Sequence, residues 1–290
     1  MMRRTLSILL LLASLASPAT AVESVTLSFA PKPGRVVDVI TENDAKLILN
    51  LTGDQELIER NRARGVSFPH LTHTRQRNHQ RTVASEANSD GSFPLRIQFL
   101  KAESHTVDRD GKAFAMRAPL TDFVDGSINA LVRPNGKIEF VSLDGGHLKP
   151  EVTTMLPQFL ENLFGSMKSM EGAHVQVGGS IDQKSYFDMP VPGFQPIRFA
   201  VDAKYTLQRI ANGIAQFSLN FTYTIDQVPT SMRVQASGSG TGAMEYDVRS
   251  NLMRNTTSTT SMEMTVNAGR SIMTSNAEMR QTTTQSLVSK

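Results

Sequence analysis

The 290-residue chain contains no cysteine and no tryptophan, and only 4 tyrosines. The missing thiol removes disulfides, thiolate nucleophiles and cysteine metal ligands from its chemistry. Exported animal and plant domains usually use disulfides, so a long cysteine-free exported chain points to a bacterial periplasm. Its fold must then rest on core burial. No Gly-x-Ser-x-Gly elbow is present, which leaves serine hydrolase chemistry without its usual strand-to-helix nucleophile. Gly238-Ser239-Gly240-Thr241-Gly242 is followed by no Lys-Ser/Thr and no helical pattern. It therefore reads as a flexible or bulged strand rather than a phosphate loop.

Long apolar runs are scarce as well. The one clear run, Leu6 to Ala16, follows Arg3-Arg4 and precedes Ala19-Thr20-Ala21. A basic start, a short apolar stretch and a small-x-small site are the marks of a secretory signal peptide. Cleavage is expected between Ala21 and Val22, giving a mature chain with no transmembrane segment, placed in the periplasm or secreted. The leader takes two arginines and no acid, leaving 28 basic against 27 acidic residues. The nominal pI of 9.2 thus overstates the basicity of the mature protein. No global charge argument for nucleic acid or a membrane survives.

What the chain does have is alternation. Phe93, Leu95, Ile97 and Phe99 alternate with polar residues or proline. Phe199 to Leu207 and Phe217 to Ile225 repeat the pattern. A two-residue period of this kind predicts antiparallel strands with one face on a core. Turn signals separate them: Ser89-Asp90-Gly91, Pro134-Asn135-Gly136, Asn212-Gly213 and Asn267-Ala268-Gly269. One segment has a helical period instead. Val152, Met155, Leu156, Phe159, Leu163, Met167 and Met170 follow i, i+3, i+4, i+7 spacing, with Phe164 beside the stripe. Pro150 suits its start and Gly172 its end, and Pro157 should kink it.

The expected fold is therefore mainly β (α+β), with antiparallel sheets in two similar halves and one main amphipathic helix between them. The organisation reads as a signal peptide over 1–21, an N-terminal β-rich half over 22–149, the connecting helix over 150–172 and a C-terminal β-rich half over 173–290. Asp90–Phe99 parallels Asn212–Phe221, and Gly126–Ser142 is echoed by Gly240–Thr256. A diverged duplication and a coincidence between similar hairpins both account for this.

Tyr205-Thr206-Leu207, Ala211-Asn212-Gly213-Ile214-Ala215, Gly238-Ser239-Gly240-Thr241-Gly242 and Tyr246-Asp247 together resemble an uncharacterised family of exported bacterial β-rich proteins, a domain of unknown function. The likeness in layout spans most of the mature chain. Where that family carries Val-Gly-Asp-x-Trp, this chain has Val177-Gly178-Gly179-Ser180-Ile181. The resemblance implies export and a β-rich architecture, and brings no catalytic residues with it.

Three candidate features carry chemistry. His70, His73 and His79 form the only histidine cluster, but on a strand His70 and His73 point to opposite faces, which disfavours a metal site. Arg60, Arg62, Arg64, Arg75, Arg77 and Arg81 lie in a stretch without any Asp or Glu. Arg60, Arg62, Arg64, Arg75 and Arg77 form a candidate anion patch. The competing reading is an exposed loop and an edge strand whose charges guard against edge pairing. Met155, Phe159, Leu163, Phe164 and Met167 form a candidate apolar ligand surface, or else plain core. No catalytic residue, cofactor or metal site is assigned. The expected role is a non-enzymatic envelope binding or structural module, with a carrier of lipid or lipidated protein as the alternative. The partner's identity is not readable from the sequence; a lipid or an envelope protein is the candidate, and no nucleic acid is expected.

Overall fold

The structure, a computed structural model, describes residues 23–63, 65–113, 124–145, 170–189, 196–230 and 232–288. Its elements run β1 Ser24–Thr26, β2 Val36–Thr52, α1 Gln55–Ala63, β3 His70–Ala84, β4 Phe93–Asp108, β5 Ser127–Val132, β6 Ile138–Asp144, β7 His174–Gln176, β8 Ser180–Met189, β9 Ile197–Ala211, β10 Ile214–Gln227, β11 Arg233–Asp247, β12 Leu252–Ala268 and β13 Ser271–Leu287. Eleven strands make one antiparallel sheet in the order β6-β5-β4-β3-β2-β13-β12-β11-β10-β9-β8, and β1 pairs with β7 in a separate two-stranded ribbon. The strands on either side of the 146–169 stretch join in this one sheet across the β2–β13 seam, where Asp44 opposes Arg280.

Alternation decides which face is covered. Phe93, Leu95, Ile97 and Phe99 of β4 are buried, as are Leu207 of β9 and Phe217 and Leu219 of β10. Cross-strand register puts these side chains on one face of the sheet, here the core face. The β1–β7 ribbon packs on it: Val25, Leu27 and Val175 meet Leu207, Phe217, Met244 and Tyr246. Tyr246 is fully buried; its hydroxyl accepts the Ser28 backbone N–H at 2.9 Å and lies 3.1 Å from Asn251 Oδ1. A second cluster gathers Ile197, Phe199, Met232, Met264 and Val266, and a third Phe93, Leu95, Ala130 and Val132. Burying each such large side chain contributes about 1.5–3 kcal/mol.

The expected hairpins form. Asn212 (φ 54°) and Gly213 (φ 79°) turn β9 into β10, both left-handed as a two-residue turn of this hand requires. Gly136 (φ 78°) closes β5 onto β6, with its N–H donated to the Arg133 carbonyl at 2.9 Å. A Cβ added at Gly136 meets nothing within 4 Å, so only backbone strain opposes substitution. Gly136→Val should therefore cost about 1–2 kcal/mol and lower the melting temperature by a few degrees. An unchanged thermal transition would refute a left-handed turn there.

Helix α1 has no apolar stripe and buries no residue. It is set locally: Asp54 Oδ1 accepts the Leu57 N–H at 2.9 Å as an N-cap, and Gly65 (φ 84°) follows its end. The expected helix over 150–172 lies almost wholly outside the described residues. Met170, its last apolar position, is buried.

Candidate functional site

The sheet face opposite the core carries the charges. Along β3, His73, Arg75, Arg77, His79 and Arg81 alternate with residues of the core face, and β2 opposes them with Asp44, Glu42 and Asp38. Asp44 is shared: its Oδ1 lies 2.7 Å from His73 Nε2, and its Oδ2 accepts Arg75 Nε at 3.2 Å. Six residues along, the unit repeats. Asp38 accepts two bonds from Arg81, at 2.6 and 2.8 Å, and lies 3.5 Å from His79 Nε2. Between the two units Arg77 pairs with Glu42 at 3.3 Å. Two His-x-Arg steps thus each hold one aspartate, a ladder built by strand register alone.

This arrangement corrects one expectation. Strand β3 is no edge; it lies between β2 and β4. Its arginines carry no guard function, because their carboxylate partners come from β2 rather than from nearby sequence. Arg75 and Arg77 belong to this ladder. Arg60 and Arg62 sit apart on α1, where Arg60 lies 4.0 Å from Glu56. Arg64 falls outside the described residues, so the five arginines are not brought together. His70 lies on the core face and His73 and His79 on the charged face, as the spacing required. Among the described residues no group of three His, Asp or Glu could hold a metal ion. Met155, Phe159, Leu163, Phe164, Met167, Ala21 and Val22 lie outside the described residues.

The Arg81 guanidinium holds the Asp38 carboxyl below the usual aspartate range, and the His73 bond does the same first for Asp44, with Arg75 adding to it. A carboxyl whose pKa is depressed by folding stabilises the fold above its unfolded pKa, and that stability is lost as pH falls through the folded pKa. Asp38 is the better shielded, its side chain 17% exposed. Asp38→Asn should lower stability at pH 7 by about 1–3 kcal/mol, and the gap to the parent should close in acid, once the Asp38 carboxyl of the folded protein is protonated. Urea midpoints at pH 7 and in acid read this directly; an equal gap at both would show that the charge of Asp38 contributes nothing.

The same face forms an open trough with two adjoining basins of about 780 and 660 Å³, which share Asp44 and Arg280. One row of opposed residues crosses it: His105 of β4, Arg75, Asp44, Arg280 of β13, Thr259 of β12, then Thr241 of β11 and Asn220 of β10. At about 4.8 Å per strand, the row is roughly 29 Å long. The basic end and the hydroxyl end of this row were not legible as one surface in the sequence.

No protein-family profile matches the chain, and no curated protein does. Among solved structures, it is similar to an outer membrane channel from Pseudomonas putida F1, at 7% identity and a TM-score of 0.26, covering 89% of this chain and 97% of that one. The transport unit of the autotransporter AIDA-I from Escherichia coli gives 9% identity and a TM-score of 0.18, covering 89% and 92%. The Salmonella type III secretion secretin InvG gives 8% and 0.17, covering 88% and 61%. Likenesses this distant carry no argument about fold or role.

Proposed function

We propose that this chain is an exported, non-enzymatic β-rich protein of the bacterial cell envelope that binds a partner through the polar face of its sheet. The observation that carries this reading is the division of labour between the two faces. Among the described residues one buries three apolar clusters, while the other presents an open trough whose outward side chains are mostly charged or hydroxyl-bearing. Export rests on Arg3-Arg4, the apolar run to Ala16 and Ala19-Thr20-Ala21.

Residue placement favours a water-facing sheet. A membrane barrel presents an outward apolar band about 25 Å tall. Here the charged face has its ladder at mid-sheet, and the core face has Asn43, Gln76, Gln281 and Ser104 there. Neither centre suits lipid. Among the described residues no helix is long and apolar enough to cross a membrane.

Intact-mass measurement of the envelope fraction tests the reading. A mature N-terminus at or within a few residues of Val22 is expected, and a retained Met1 would overturn export. The second reading, a lipid or lipidated-chain carrier, draws on Leu47 and Met279. Both lie on the core face and are 38% and 37% exposed.

A further inference from the structure

Among the described residues the sheet ends in two open edges, β6 and β8. An open edge is a template for another strand unless it is short, bulged or guarded by charge. Strand β6 has these guards. It runs for 7 residues, its register against β5 shifts between Asn129 and Ala130, and Arg133 and Lys137 both pair with Glu139. Strand β8 differs. It runs for 10 residues in unbroken register with β9, and its two aromatic side chains are exposed, Tyr186 by 46% and Phe187 by 37%. Phe187 stacks on Phe199 at 5.2 Å, and the Arg198 guanidinium lies 5.0 Å from the centre of the Tyr186 ring. Leu207 of β9 turns its N–H and C=O toward the start of β8, donating to the Gly179 carbonyl at 2.9 Å and accepting from the Gly178 N–H at 2.7 Å. Antiparallel pairing alternates from there, so Tyr205, Ala203, Val201 and Phe199 bond to Ile181, Gln183, Ser185 and Phe187. The N–H and C=O groups of Asp182, Lys184, Tyr186 and Asp188 therefore point away from β9, and no described strand takes them.

We propose that β8 pairs antiparallel with β8 of a second copy of this chain, about a two-fold axis at Tyr186. Such an interface is self-complementary, and the side chains of β8 satisfy that condition. Lys184 of each copy faces Asp188 of the other, and Tyr186 faces its own counterpart. Phe187 faces Ser185, with the second Phe187 as a diagonal neighbour within aromatic reach. Other registers do worse. Centred on Lys184, the strands would oppose two lysines; centred on Ser185, they would set Asp182 against Asp188. Centred on Phe187, Lys184 would lose Asp188. Centred on Gln183, Asp182 would face Lys184, but Phe187 and Asp188 would lie beyond the paired strands. A lysine on an edge ordinarily repels other strands; here it is half of a charge pair that forms only with a second copy. The inference is independent of what the polar face binds, since the pairing runs along the rim of the sheet.

Light scattering of the mature protein at on the order of 100 µM should give the mass of a dimer. Lys184→Asp sets acid against acid at both ends of the seam, and Asp188→Lys sets lysine against lysine. Each should weaken the dimer about tenfold or more. Mixing the two variants in equal amounts should restore it, because each chain then meets an unlike charge at both positions. Their separate melting temperatures confirm that they fold. The chain has no cysteine, so an introduced one can meet only its own counterpart. Tyr186→Cys brings two Cα atoms to about 5.5 Å, inside the range a disulfide spans, and should cross-link on mild oxidation. Asp182→Cys leaves its counterpart roughly 27 Å away along the ladder and should not. A monomeric parent would overturn the proposal. So would a dimer that neither charge variant weakens, a mixture that restores nothing, or cross-linking at Asp182→Cys and not at Tyr186→Cys.

Discussion

Gly240→Val should be strongly destabilising although it leaves every core side chain in place. A Cβ at Gly240 would lie 2.5 Å from Thr260 Cγ2 and 2.8 Å from the Thr259 carbonyl oxygen. Real Cβ atoms do not approach a backbone oxygen that closely, so strand β12 would have to move. Gly238 is similarly placed, 2.9 Å from the Ser261 carbonyl oxygen and 3.2 Å from the Cβ atoms of Met262 and Tyr223. At Gly242 the added atom would collide with the Thr257 carbonyl oxygen. The three glycines are there because β11 is pressed onto its neighbours. Overpacking of this kind costs about 3 kcal/mol, or roughly 6–12 °C in melting temperature for a chain of this size. Scanning calorimetry would measure it, with Ser239→Val on the exposed face as a control expected to stay within about 0.5 kcal/mol. If Gly240→Val melted with the parent, the close approach of β11 to β12 would be refuted.

This glycine run shows where sequence reading succeeds and where it stops. Gly-x-Gly-x-Gly marked an unusual strand, but β11 pairs with β12 in unbroken register across all three glycines; the irregularity comes later, between Glu245 and Tyr246. Composition signals that side chains are missing, while the reason lies on the neighbouring strand. The strands around Phe93, Phe199 and Phe217 were legible because each has one wet and one dry face. Strands β2, β3, β12 and β13 were legible only in fragments. Near mid-sheet their core-face residues are polar, with Asn43, Gln76 and Gln281 among them, so hydrophobic alternation fades although the strands run for 15 to 17 residues. Helix α1 escaped for a related reason, since it buries nothing and is held by its Asp54 cap.

The site was half-visible. The arginines of β3 stood out, and so did the absence of acids among them. Their partners Asp38, Glu42 and Asp44 lie 31 to 43 residues away in sequence for the bonds to Arg75 and Arg81, a distance that only antiparallel register bridges. A rule that looks for compensating charge nearby in sequence serves helices, where partners are three or four residues apart. In a sheet the partner's position depends on loop length and pairing, and neither can be read from the charged segment itself. Arg280 was invisible for the same reason: nothing around it in sequence announces that it faces Asp44.

Phe217→Ala should cost about 3–5 kcal/mol, because the cavity it leaves can close only in part. Phe217 is 2% exposed, between Leu207 and Met244 on the flanking strands, with Val25, Leu27 and Val175 of the ribbon packed over this cluster. The ribbon is tied down independently: Glu171 accepts hydrogen bonds from the Ser28 hydroxyl and the Ala30 N–H, and Tyr246 accepts one from the Ser28 N–H. It is therefore poorly placed to collapse into the void. The same variant separates core from carrier. A cleft built to hold acyl chains tolerates a smaller side chain, so Phe217→Ala would lose little stability and retain less of a fluorescent fatty acid. Packed core gives the reverse: a large fall in the urea midpoint, and no probe retained by the parent. We expect the second outcome, because the β1–β7 ribbon already occupies the space above Phe217 where an acyl chain would lie. A small stability loss accompanied by reduced probe retention would instead make this end of the core face a lipid site.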